Sequence, residues 1–84
     1  MIQLHNYSSI LYRPLTDKME ELLMDIHERE ILKLEPYEAA GTKFSKGLLD
    51  RGLLETRDYT MATGKRILAL FITNLGRGYL SKLK

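Results

Sequence analysis

The sequence contains no cysteine, no tryptophan, two prolines and two histidines. Without cysteine, disulfides, thiolate metal sites and cysteine nucleophiles are excluded. His5 and His27 have no paired spacing of the kind that supports a metal site. No apolar run approaches the roughly 18 residues of a membrane span, and the N-terminal residues do not have the pattern of a signal peptide. We therefore expect a cytoplasmic protein, away from the membrane and without a cofactor.

Patterns typical of catalysis are also missing. Thr63-Gly64-Lys65 resembles the end of a phosphate-binding loop, but the first glycine and the following Ser or Thr of that motif are absent. The carboxylates between residues 20 and 28 follow a helical pattern typical of a solvated face, not of an acid/base pair. The sequence predicts that the chain is not an enzyme.

The charge of this 84-residue chain is small in total but uneven along the sequence. The composition, with 44% apolar and 29% charged residues, is that of one ordinary globular domain. The net charge is +2, yet residues 17–40 hold eight acids and three bases, while residues 41–84 hold nine bases and three acids. Such asymmetry is a hint of a surface that binds a polyanion. A dipolar surface with no partner explains the composition equally well.

The first part of the chain divides into an arm and the start of a domain. Residues 1–13 show no clear period and are interpreted as a leader, or as an arm that pairs with a second subunit. We place the domain over residues 14–84. Thr16 is a good N-cap, and apolar spacing predicts a first helix over Asp17–Arg29 with an acidic outer side.

The middle of the chain predicts short elements. Ile31–Leu34 is expected to be extended and Pro36–Ala40 to form one or two helical turns. A helix over residues 42–51 follows, with Thr42 as its cap and with Phe44 and Leu48 on its apolar face. Its outward-facing residues are then Lys43, Ser45 and Lys46.

The second half predicts a β-hairpin followed by a helix. Gly52 suits the left-handed end of the preceding helix, and Leu53–Tyr59 alternates like a strand. Gly64 is expected to have a positive φ in the turn before the strand Arg66–Ile72, which is apolar on both faces. Thr73 can cap a last helix, whose apolar residues are Leu75, Tyr79, Leu80 and Leu83.

Three sequence motifs, in this order, resemble those of winged helix-turn-helix domains, in particular MarR- and PadR-type transcriptional regulators and related small phage or bacterial proteins. They are the Arg-Gly-Leu joint within Leu48–Glu55, the candidate wing Asp58–Arg66, and Ile72–Leu80, which is similar to the phrase that opens the helix after the wing. The resemblance covers about residues 15–83. It implies an α+β, mainly α, winged-helix fold with an antiparallel hairpin wing and a regulator that binds duplex DNA. This sequence departs from the family pattern at Pro36–Ala40. The segment leaves at most one or two turns for the helix that precedes the reading helix.

The chemistry of DNA binding points to two groups of residues in such a fold. A helix in the major groove reads base edges and contacts phosphates with residues near its N-terminus, here Thr42, Lys43, Ser45 and Lys46. The wing would bring Thr63, Lys65 and Arg66 to the backbone or the minor groove. Thr42 has an equally good role as a helix cap, and Lys65 and Arg66 can also be explained as solvated hairpin residues.

A winged-helix module for protein–protein contact, without DNA affinity, is the alternative. The modest net charge keeps this alternative open. Its interface would be the acidic first helix or the C-terminal helix through Tyr79, Leu80 and Leu83, and a homodimer through this helix or the N-terminal arm is a further expectation.

Overall fold

Three α-helices and one β-hairpin form the part of the chain that the computed structural model describes, residues 14–82. The arm predicted over residues 1–13 and the interface residue Leu83 lie outside this part. The fold class is α+β, as predicted. In chain order the elements are α1 (Asp17–Leu32), a 3-10 turn (Ala39–Gly41), α2 (Ser45–Asp50), β1 (Leu54–Thr60), β2 (Arg66–Ile72) and α3 (Asn74–Lys82).

Helix α1 begins where predicted and ends later. The Thr16 hydroxyl accepts a hydrogen bond from the Met19 N–H at 3.2 Å, which confirms the cap. The helix continues to Leu32 and stops because Lys33 has the left-handed conformation, with φ 60°. In this conformation the N–H of Lys33 can bond to carbonyl groups of the last turn. The predicted end at Arg29 and the extended segment at Ile31–Leu34 are therefore wrong.

The segment before α2 lies against the hairpin instead of forming the predicted short helix. The carbonyl of Tyr37 accepts the N–H of Leu70 at 3.0 Å, and Glu38 forms an antiparallel bridge with Ala69. Ala69 also pairs with Arg57 of β1, so this segment lies along the other edge of β2. Helical structure is confined to the single 3-10 turn that follows.

Helix α2 is shorter than the predicted 42–51. It has six residues, and Phe44 precedes it in the left-handed conformation with φ 69°. This conformation leaves the Phe44 ring half exposed, whereas Leu48 is fully buried. The prediction that both residues lie on the apolar face of the helix is right for Leu48 and wrong for Phe44. Thr42 is not the N-cap, because the helix starts three residues after it.

The hairpin agrees closely with its prediction. β1 and β2 are antiparallel in the register Leu54↔Ile72 to Thr60↔Arg66, and β1 is displaced by only one residue from the predicted strand. Gly52 and Gly64 have φ values of 75° and 95°, as their positions predicted. Coverage of β2 is incomplete, since Leu68 is exposed.

The core lies between α1, α3 and the inner face of the hairpin. Its buried members come from every α-helix and both strands or the residues flanking them: Leu15, Met19, Leu23, Ile26, Leu48, Leu53, Leu54, Leu70, Ile72 and Leu80. Thr73 caps α3 as predicted, because its hydroxyl accepts the Gly76 N–H at 3.0 Å and donates to the Gly52 carbonyl at 2.6 Å. The cap thereby fastens α3 to the joint between α2 and β1.

Candidate nucleic-acid interface

Two lysines, one just before α2 and one in its first turn, are exposed to solvent. Lys43 is exposed, and no ion pair joins it to another residue within the range 14–82. Lys46 is also exposed, and its Nζ lies 3.0 Å from the Asp50 carboxylate one turn later. Exposed pairs of this kind contribute less than about 1 kcal/mol, so Lys46 can leave Asp50 for another anion at little cost.

The two hydroxyl residues predicted to read DNA beside these lysines are used inside the protein. Ser45 is only 8% exposed, and its hydroxyl donates to the Thr42 carbonyl at 3.1 Å. The predicted outward direction of Ser45 is wrong, because α2 begins at Ser45 itself and turns this side chain inward. The half-exposed Thr42 hydroxyl donates to the Glu38 carbonyl at 2.7 Å. Of the four predicted α2 residues, the two lysines alone are exposed.

The hairpin turn, residues 61–65, presents a second group of polar and basic residues. The Met61 N–H donates to the Lys65 carbonyl at 2.7 Å, and the Gly64 N–H donates to the Met61 carbonyl at 2.8 Å. These two bonds close the turn and fix its shape. Thr63, Lys65 and the adjoining Arg66 are all exposed, and none of them takes part in an ion pair with another described residue. All three predicted wing residues therefore remain open to an anion.

A carboxylate not foreseen from the sequence holds this turn. The backbone N–H of Ala62 donates to the Glu35 carboxylate at 2.6 Å. The two residues are 27 positions apart, and no local pattern links them. This contact fastens the hairpin turn to the segment that follows α1. It also places one negative charge near the bases of the turn.

Two further arginines of the basic half are engaged within the protein. Arg57 lies on β1 with its guanidinium carbon 4.0 Å from the centre of the Phe71 ring and its Nε 3.1 Å from Glu55. Arg51, at the C-terminal end of α2, donates to the Gly47 carbonyl at 2.9 Å. Neither arginine is as available to a phosphate as Lys65 or Arg66.

The two exposed basic groups lie on different elements. Helix α2 contacts α1 and β1, whereas the hairpin turn stands at the far end of two seven-residue strands. Strands of this length extend about 20 Å. No hydrogen bond in the part of the chain described here joins Lys43 or Lys46 to the turn. A ligand that touches both groups must therefore be extended.

Of the C-terminal residues predicted as an interface, the two in the described part of the chain, Tyr79 and Leu80, pack against the rest of the protein. Leu80 is 6% exposed and part of the core. Tyr79 is half-buried, and its hydroxyl donates to the Glu20 carboxylate at 3.0 Å. Burial, together with this hydrogen bond, raises the pKa of the tyrosine above its usual value. Leu80 is therefore not accessible to a partner, and the Tyr79 hydroxyl already has an acceptor within the protein.

An ion pair joins the two helices that surround this part of the core. Arg77 of α3 donates to the Glu30 carboxylate of α1 through its Nη2 at 2.5 Å and its Nε at 3.2 Å. The hydrogen-bonded guanidinium holds the pKa of the Glu30 carboxyl below its usual value. The pair removes one base and one acid from the charges available to a ligand.

Within residues 14–82, no group of three or more His, Asp or Glu side chains is arranged to hold a metal ion. No helix in this range is long and apolar enough to cross a membrane.

The chain was compared with models of known protein families, with curated proteins and with solved structures, and no match was found in any of the three comparisons.

Proposed function

We propose that this chain is a DNA-binding module of the winged helix-turn-helix type that acts as a small cytoplasmic transcriptional regulator. The observation that carries the proposal is the exposed basic turn of the hairpin, with Thr63, Lys65 and Arg66 free of ion pairs among the described residues. Lysine and arginine at such a turn supply salt-dependent affinity for phosphate groups. Lys43 and Lys46 at the start of α2 add a second contact region.

The arrangement of the elements supports this fold type. Helix α2 is followed directly by the hairpin, and α3 closes the unit. An isolated bridge from Glu38 to Ala69 places the segment before α2 beside β2. A short helix followed directly by a hairpin holds the candidate reading helix and the candidate wing on one body.

The shape of α2 limits how the module reads DNA. The helix has six residues, Ser45 is buried and the Thr42 hydroxyl already has an acceptor. Contacts in the major groove then fall mainly to Lys46 of α2 and to Lys43 just before it, and lysines contact phosphates more readily than they distinguish bases. We therefore propose binding that depends mainly on the DNA backbone, with modest preference for sequence.

A second candidate function is protein–protein contact without DNA affinity. It is favoured by large apolar side chains that are about half exposed or more within the described range: Met24, Ile31, Leu32, Leu34, Phe44, Leu68 and Leu75. Scattered apolar residues are normal on a protein surface, but Met24 and Ile31 share one groove between α1 and α3. This surface is separate from the exposed bases.

Mapping of the DNA footprint by NMR distinguishes the two candidates. When an unlabelled random-sequence duplex is added to ¹⁵N-labelled protein, we expect the amide shifts to change at residues 43–46 and 63–66. The amide chemical shifts of Met24, His27 and Ile31 are expected to stay unchanged, because these residues line the groove between α1 and α3. Changes confined to that groove, or no changes at all, would contradict the DNA-binding proposal.

A further inference from the structure

A cleft of about 250 Å³ lies between the second half of α1, the segment after it and β2. Its walls are mostly apolar and include Ile26, Leu70, Phe71 and Tyr37. Concave sites with apolar walls and a few placed polar groups are the usual form of small-molecule sites. The cleft does not include Lys43, Lys46 or the bases of the hairpin turn, so it is separate from the candidate DNA surface.

Two cations, Arg29 and Lys33, line this cleft. The Arg29 side chain is held in position, because its Nε donates to the Glu35 carbonyl at 2.8 Å and its guanidinium carbon lies 4.3 Å from the centre of the Tyr37 ring. Lys33 is placed by the left-handed turn that ends α1. Neither cation forms an ion pair with a carboxylate within residues 14–82.

The single acid that lines the cleft is already neutralised. Glu30 receives two hydrogen bonds from Arg77, which comes from α3 and does not line the cleft. The cleft therefore combines apolar walls with two cations, Arg29 and Lys33, that form no ion pair among the described residues. This combination complements a ligand with an apolar body and one negative end.

We propose that this cleft binds a small organic carboxylate with an apolar body. The body would occupy the space between Ile26, Leu70 and Phe71, and the carboxylate would accept hydrogen bonds from Arg29 or Lys33. Binding of this kind depends on the cleft alone and is measured without DNA. It can therefore fail or succeed independently of the proposed function.

The test uses octanoate and two analogues with the same apolar chain. Octanoate titrated into the labelled full chain is expected to shift the resonances of Tyr37, Leu70 and Phe71 in a saturable way, with Kd on the order of 1 mM. Octylamine and octanol are expected to bind at least several-fold more weakly, because the first carries the opposite charge and the second carries none. No saturable shifts with octanoate, or equal binding of all three compounds, would overturn the proposal.

Variants of the cleft provide the second part of the test. Lys33→Asn removes a charge while keeping a residue that accepts the left-handed conformation, and we expect octanoate binding to weaken roughly fivefold. Lys18→Asn, on the exposed first turn of α1, is the matched control and should bind octanoate like the wild type.

Leu34→Asp places a carboxylate at the half-exposed rim of the cleft and should abolish binding. Leu75→Asp makes the same exchange at an equally exposed leucine of α3 that lies outside the cleft. This variant should bind octanoate like the wild type. Wild-type affinity in Lys33→Asn and Leu34→Asp, with the amide spectra showing both folded, would contradict the proposal.

Discussion

Replacement of Gly76 by alanine is expected to destabilise the protein by about 3 kcal/mol, the largest effect that we expect from alanine at any of the six glycines. A Cβ at this position would stand 2.3 Å from the Leu53 carbonyl oxygen and 2.7 Å from Cγ1 of Ile72. The first of these neighbours is backbone and cannot rotate away. Helix α3 would have to move off the start of β1, where the Thr73 N–H also bonds to the Leu53 carbonyl at 3.1 Å.

Gly78 is the matched control on the same helix. A Cβ there would meet nothing within 4 Å, so Gly78→Ala should gain up to about 1 kcal/mol from helix propensity alone. Urea unfolding followed by circular dichroism measures both variants. A small domain has on the order of 5 kcal/mol of stability to lose, so the Gly76 variant should unfold at far lower urea than the Gly78 variant. Equal midpoints for the two variants would show that α3 does not pack closely on the joint before β1.

Reversal of one charge in each basic group should remove most of the affinity for DNA. The double variant Lys43→Glu and Arg66→Glu changes the residues before α2 and the hairpin together. Each phosphate contact alters log K by about 0.9 per tenfold change in salt, so two lost contacts weaken binding roughly fifty- to hundredfold near 0.1 M salt. Both side chains are exposed, so the fold should be unaffected. Fluorescence anisotropy with a labelled duplex measures the loss.

The control for this experiment has the same change in net charge at other positions. Lys18→Glu and Lys82→Glu replace exposed lysines of α1 and α3, two elements that hold neither basic group. This control double variant should retain DNA affinity within a few-fold of the wild type. If both double variants lose affinity equally, the attraction is a general effect of charge and the proposed surface is wrong.

Local sequence chemistry was sufficient to predict the start of α1, the hairpin and the cap of α3. Each depends on residues close together in the chain, such as Thr16 before a helix or Gly64 in a turn. The strand β2 was predicted to its exact ends, because an apolar run between a basic turn and Thr73 leaves few alternatives. These parts of the fold follow from propensity and spacing.

The errors lie where a residue adopts a conformation that its type rarely prefers. Lys33 and Phe44 both have positive φ, a region that favours glycine and asparagine over residues of their kind. At Lys33 the consequence is a longer α1, and at Phe44 it is a shorter α2 with Ser45 turned inward. These conformations depend on the tertiary packing of the flanking segments, which cannot be predicted from local propensity.

The candidate site was predicted in part for the same reason. The exposed bases Lys43, Lys46, Lys65 and Arg66 could be found from charge and from their positions beside turns. The contact from Glu35 to Ala62 joins positions that are distant in the chain, so it could not be predicted from local sequence. The apolar cleft beside Arg29 and Lys33 also needs three separate segments to meet, so no single stretch of sequence indicates it.

The salt dependence of duplex binding tests the central claim most directly. Phosphate contacts by Lys43, Lys46, Lys65 and Arg66 predict that log K falls linearly with log salt concentration, with a slope of roughly −3 to −4. The affinity of the wild-type chain for a random-sequence duplex should be measured at several salt concentrations between about 0.05 and 0.3 M. A slope in that range supports a surface that binds the DNA backbone. A slope near zero, or no measurable binding at the lowest salt, would contradict it.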